Sequence, residues 1–322
     1  MIKKSNQGSF QFERFNSAVL DNYFSHRFEE TRIGDFSLES STSRFVIIGI
    51  EESIGPMANY GLSGAENAFA CFLRIFLNSQ VYDGFKMDEI SILGTIKHNS
   101  TFSTCENASE QVSELDDFVV ELLSEDLSAN QIPIVIGGGH NNAYPLIKWS
   151  YKKGLLNVLN LDPHADCRAT ERRHSGNSFS FAIEKNLLNN YAVLGLQEAF
   201  NNDFIRQFLI SKKINHSFYE DYLFGNRNVI EDAQEIIESW NSNIQIGIEI
   251  DMDSIANMPS SAISPSGWTV DQVRSYLMHV TSIVKKIAYL HLPEAAPKNE
   301  HDSKLVGKSL TYLVRDFIQH MK

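Results

Sequence analysis

The sequence predicts an α/β fold: one domain with a mostly parallel sheet and helices on both faces. Three observations carry this. Short apolar runs rich in β-branched residues recur along the chain, and longer segments with helical periodicity separate them. Clusters of Asp, Glu and His then stand directly after several of those runs. Strands that alternate with helices form βα units, and βα units stack into a parallel sheet.

The apolar runs fall at 45–50 (FVIIGI), 90–94 (ISILG), 132–136 (IPIVI), 155–161 (LLNVLNL), 192–196 (AVLGL), 244–250 (IQIGIEI) and 287–292 (IAYLHL). Between them, 106–127 reads as a helix with Val112, Leu115, Phe118, Val119 and Leu122 on one stripe. A second helix is expected over 269–286, where Thr269 and Gln272 have capping-box spacing and Lys285 and Lys286 suit the helix dipole. A third is expected over 229–240. Residues 1–43 are polar and mixed, and read as an N-terminal extension packed on the main body. Residues 44–322 read as a single domain, without repeats or a flexible linker.

Composition narrows the function. With 43% hydrophobic and 21% charged residues, the 322-residue chain has the profile of an ordinary globular protein. A formal net charge of −12 argues against binding a nucleic-acid backbone or an anionic membrane. Cys71, Cys105 and Cys167 are too few and too scattered for a disulfide framework. The N-terminus lacks the apolar stretch of a secretory signal, and no run is long enough to span a bilayer. Cytoplasmic residence is the expectation, with a small molecule as partner. Assembly into a homo-oligomer is compatible with the sequence.

In open α/β sheets, ligands bind outside the carboxyl ends of the strands. Four runs deliver ligand-type residues there: His140 in GGGH, Asp162, His164 and Asp166 in DPHAD, Glu249, Asp251 and Asp253 in EIDMD, and Glu294 in PEAAP. On extended backbone, residues two apart share a face, so each triplet should point one way. That many carboxylates at one edge repel unless cations neutralise them. Two divalent ions would do so, and a ligand set of oxygens plus imidazole suits Mn²⁺ better than structural zinc. The glycines at 137–139 match neither GxGxxG nor a P-loop, and are expected to let backbone approach the centre closely. Cys167 falls on the face away from the ligands and reads as a buried structural thiol. No GxSxG occurs.

GGGH at 137–140, DPHAD at 162–166 and IDMD at 250–253 resemble the three metal-binding blocks of the ureohydrolase (arginase–agmatinase–formimidoylglutamase) superfamily. EAAP at 294–297 resembles its later Glu-x-x-Pro block, and IGIEESIGPMANYGLSGAENA at 48–68 its N-terminal block. The resemblance implies an arginase-like, three-layer α/β/α sandwich holding two Mn²⁺ per chain. It assigns His140, Asp162, Asp166 and Asp251 to one ion, and Asp162, His164, Asp251 and Asp253 to the other. It also implies hydrolysis of an amidine or guanidine C–N bond by hydroxide held between the metals, with Asp166 carrying the proton and Glu294 pairing with the amidinium. GGGH, Arg168 and HSGNSFS at 174–180 look most like the formimidoylglutamase branch, whose reaction in histidine degradation yields L-glutamate and formamide from N-formimidoyl-L-glutamate. Arg168, His174, Ser175, Asn177 and Glu294 are then the expected substrate contacts, whereas Arg172 and Arg173 read as solvated surface charges.

Some positions depart from the family pattern. Pro163 replaces the alanine of DAHxD, Glu249 adds a carboxylate close to the metals where SxDxD has serine, and Ala256 and Asn257 leave DxDxxDP incomplete. An arginase- or agmatinase-like enzyme therefore stays open, with Glu249 available to a cationic substrate. So does a non-catalytic oligomeric scaffold of the same fold. A single-zinc deacetylase would have no use for so many carboxylates.

Overall fold

A computed structural model describes residues 2–225 and 227–321. Its strands are β1 (Ile2–Lys4), β2 (Phe10–Arg14), β3 (Phe45–Glu51), β4 (Ile90–His98), β5 (Ile132–Ile136), β6 (Leu156–Leu161), β7 (Asn190–Leu196), β8 (Asn215–Phe218), β9 (Gln245–Ile250) and β10 (Ile287–Leu292). They form a 10-stranded sheet in the order β1-β2-β4-β3-β5-β10-β9-β6-β7-β8. From β4 to β8 every neighbouring pair is parallel; β1 and β2 join antiparallel at one edge.

Strand alternation builds three layers. Phe45 and Ile47 point into one apolar cluster, Val46 and Ile48 into the other, and Leu159 and Val158 divide the same way. Helices Ala68–Phe76, Val270–Ile283 and Glu300–His320 cover the first face. Helices Cys105–Asp126, Ala143–Tyr151 and Asp203–Ser211 cover the second. The stripe on Cys105–Asp126 is buried as its periodicity predicts, and Thr269 and Gln272 form the capping box. Each apolar run became a strand because both sheet faces are covered, so continuous hydrophobicity is favoured over alternation.

The first residues do more than rest on the body, because β2 pairs with β4 and extends the sheet. Phe10 and Phe12 are buried beside Ile96, while Gln11 and Glu13 are not, a period-two signal in FQFER. Glu114, on the long helix, accepts hydrogen bonds from the backbone N–H groups of Gln7 and Ser9 at 3.0 and 3.2 Å and ties the β1–β2 turn down. No helix among the described residues is long and apolar enough to cross a membrane.

Candidate metal centre

Strands β5, β10, β9 and β6 are consecutive in the sheet and parallel, so their carboxyl ends open at one place. His140 follows β5, Glu294 follows β10, Asp251 and Asp253 follow β9, and Asp162, His164 and Asp166 follow β6. The period-two argument does not hold beyond the strands, however. Strand β6 ends at Leu161, and the chain turns through 162–168 with Asp166 in the left-handed region at φ 47°. Asp251 and Asp253 lie at a 3-10 turn, where Asp251 accepts from the Asp253 N–H at 2.7 Å. Turns, rather than extended backbone, bring these side chains together.

His140 Nδ1 lies 3.0 Å from one oxygen each of Asp162, Asp166 and Asp251. One nitrogen cannot serve three acceptors, and both ring nitrogens are buried without an aligned hydrogen bond. His164 Nδ1 stands 3.8 Å from Asp162 and 3.8 Å from Asp253. Burial pushes Asp166, Asp251 and Asp253 above the usual carboxylate range, and the charge of Asp162 adds to it in each case. Burial also opposes charge on His140, yet Asp162, Asp166 and Asp251 hold its pKa well above the ordinary value. Convergent, desolvated oxygens around an imidazole fit divalent cations of the Mn²⁺ type. The four-residue set His140, Asp162, Asp166 and Asp251 is the tighter of the two expected ligand groups.

Glu294 has φ 70° and its N–H donates to Gly138 O at 2.8 Å. Its Oε1 accepts the His140 N–H at 2.6 Å, while Oε2 is buried without a partner. Burial and then the Asp253 charge push its carboxyl up to about 8. The glycine turn works through Gly137 and Gly138, both at positive φ; a Cβ on Gly138 would come within 2.9 Å of Glu52 Oε1. Glu52 is a functional candidate that the sequence reading passed over. It follows β3 and is 1% exposed. Its Oε1 accepts from Gly139 N–H at 2.8 Å and from Asn142 Nδ2 at 2.7 Å, fixing the loop that carries His140. Its place at a strand end was the signal.

A cavity of about 180 Å³ opens over the carboxylates, lined by His164, Asp166, Asp251, Asp253 and Glu294, with Arg168 and Ser175 on its wall. His174 lines an adjoining hollow. Asn177 does not face either space. It is fully buried, and its amide is used within the loop, donating to Ala169 O and Arg172 O and accepting from Arg173. Arg173 is not a solvated charge: it is 5% exposed, and Nε and Nη2 bind Asp116 at 2.7 and 3.1 Å. The arginine sits inward because it ties this loop to Cys105–Asp126 and donates to Asn141 O beside His140. Arg172 is partly exposed but also paired, to Glu106 and Tyr60.

The sequence pattern shared by the Arginase family matches residues 60–317. The chain belongs to the arginase family. Formimidoylglutamase from Streptococcus pyogenes is 27% identical over 294 residues, covering 86% of each chain. The crystal structure of formimidoylglutamase from Bacillus subtilis superposes with a TM-score of 0.77 at 19% identity, covering 94% of this chain and 98% of that one. Trypanosoma cruzi formiminoglutamase with Mn²⁺ gives 0.72 at 18% identity, covering 90% and 99%.

Within this arginase-family site, Glu249 takes a different place from the one expected. It lies at the end of β9, fully buried, on the far side of the His140 ring, with Oε2 3.4 Å from Nε2. Tyr289 donates to it at 2.8 Å and His291 Nδ1 lies 2.6 Å away. Burial opposes ionisation there, but His291 and His140 pull its carboxyl down to about 2. Residue 249 is still in the strand, two positions before the turn, so it projects into the protein instead of the cavity. Pro163 leaves the ligands in place, and its carbonyl accepts from Gln197 N–H and Asn201 Nδ2.

Proposed function

We propose that this chain hydrolyses the amidine C–N bond of N-formimidoyl-L-glutamate, releasing L-glutamate and formamide. His140, Asp162, Asp166 and Asp251 would hold one Mn²⁺ and Asp162, His164, Asp251 and Asp253 the other. When bound, the two ions supply a water acidified and positioned for attack on the amidine carbon. Glu294, its Oε1 fixed by the His140 N–H, has Oε2 left to accept an amidinium N–H and set the plane of the group. Asp166 lines the cavity and carries the proton to the departing amine as the C–N bond breaks. Water's oxygen ends in formamide and its hydrogens are shared between the products.

The observation that carries the substrate is Arg168, a guanidinium on the cavity wall with no hydrogen bond or ion pair to another described residue. It suits a carboxylate. Agmatine, whose far end is an ammonium, would want acids there, and Glu249, the residue available for that role, is buried behind His140.

Metal analysis after manganese loading, with product assays on formimidoylglutamate, arginine and agmatine, tests both parts. The expected result is two Mn²⁺ per chain with release of glutamate and formamide. Turnover of the guanidino compounds instead would overturn the substrate, and protein that takes up no metal would overturn the site.

A further inference from the structure

The inner cavity continues into an outer hollow of about 380 Å³, and the two share Asn59, Tyr60, Arg168 and Ile205 as walls. Arg172 lines the outer hollow. Its Nη1 donates to Glu106 at 2.9 Å and its Nη2 to the Tyr60 hydroxyl at 2.9 Å, with the guanidinium carbon 5.5 Å from the Tyr60 ring centroid. Two of its five N–H groups are thereby used and the plane of the fork is set, leaving donors free. His174 on the same wall supplies no charge, since burial and then the three neighbouring arginines lower its pKa to about 4. Glu171 is the acid on that wall.

We propose that Arg172 binds the second carboxylate of the substrate, and that Arg168 and Arg172 together select a dicarboxylate amidine. The inference rests on the formimidoylglutamate reading above. In that molecule the amidine is on the α-nitrogen, so the α-carboxylate sits beside the reacting carbon and the γ-carboxylate at the far end. With the amidine carbon over the acid cluster, the α-carboxylate falls to Arg168 and the γ-carboxylate extends into the hollow that Arg172 lines. A fork already oriented by Tyr60 and Glu106 loses less freedom on binding than a loose side chain.

The test compares N-formimidoyl-L-glutamate with N-formimidoyl-L-glutamine, which differs only in a neutral amide at the far end. Manganese-loaded wild type should prefer the acid by about tenfold to hundredfold in kcat/KM, the range for a charge-assisted hydrogen bond. In Arg172→Gln that ratio should fall toward one, through a rise in KM for the acid, and Arg172→Lys should restore part of it. Glu171→Gln should widen the preference, and Arg168→Gln should weaken both substrates. A wild type that treats the two compounds alike overturns the inference, as does an Arg172→Gln variant that slows both with the ratio intact. A wild type that hydrolyses neither compound removes the substrate reading itself, a result separable from failure at Arg172.

Discussion

Glu249 decides how His140 presents itself. To ligate a metal ion through the Nδ1 that faces the three aspartates, the ring must keep its proton on Nε2, and the anionic oxygen 3.4 Å behind Nε2 favours that tautomer. Tyr289 and His291 hold Glu249 in place from the neighbouring strand β10. Glu249→Gln keeps the shape and removes the charge, so manganese affinity should fall by about tenfold to hundredfold. Titration of metal-stripped protein with Mn²⁺ would show it, and unchanged affinity would leave the carboxylate a packing role only. At this scale the sequence was informative about which residues gather and less so about where they point. EIDMD reads as three equal carboxylates because period two continues on paper. The strand ends at Ile250, so Glu249 projects into the protein while the turn carries Asp251 and Asp253 to the cavity.

At the scale of elements, the 168–178 loop is held by one buried ion pair. Arg173 joins it to Asp116 on Cys105–Asp126, donates to Asn141 O, and packs on Tyr144 and Phe181 with ring distances of 4.7 and 5.1 Å. Arg173→Met leaves Asp116 desolvated and unpaired, which should cost about 3–5 kcal/mol. Adding Asp116→Leu should return much of that loss, since the uncompensated charge goes too. Urea unfolding of both variants would decide, and a single variant as stable as wild type would mean that the pair is dispensable. Adjacent arginines after DPHAD look solvated because nothing local marks one as buried, and Asp116 lies more than fifty residues upstream. The strands were more legible: IPIVI at 132–136 and IAYLHL at 287–292 coincide with β5 and β10, since central strands covered on both faces must be apolar throughout. Strand β8, NHSF, carries no such run, and its pairing with β7 is a tertiary fact. Helix Glu300–His320 is equally legible, with Val306, Leu310, Leu313, Val314 and Phe317 at helical spacing.

Across the whole molecule, the arrangement that makes the site is also a source of strain. Four adjacent strands aim their carboxyl ends at one point, and the fold holds acids together that an unfolded chain would separate. Without metal, burial and mutual repulsion make the folded protein keep protons, Glu294 up to about 8 from an ordinary 4.5. A carboxyl whose pKa is raised on folding stabilises the folded state fully below about 4.5, and that contribution is lost as pH rises through about 8. Metal-free protein should therefore be progressively destabilised by these groups over that window. Manganese takes the place of the protons on Asp166, Asp251 and Asp253, and by neutralising Asp253 it lowers the Glu294 carboxyl, so the loaded protein is spared the loss. At one fixed concentration of Mn²⁺, the increase in Tm of chelator-stripped protein should accordingly grow from about pH 5 to about pH 8; where that concentration reaches a hundredfold excess over Kd, the stabilisation is roughly 3 kcal/mol. Differential scanning calorimetry with and without metal at each pH isolates this difference from other titrations. A Tm increase that stays constant across the window would mean the carboxylates are not the groups that exchange protons for metal.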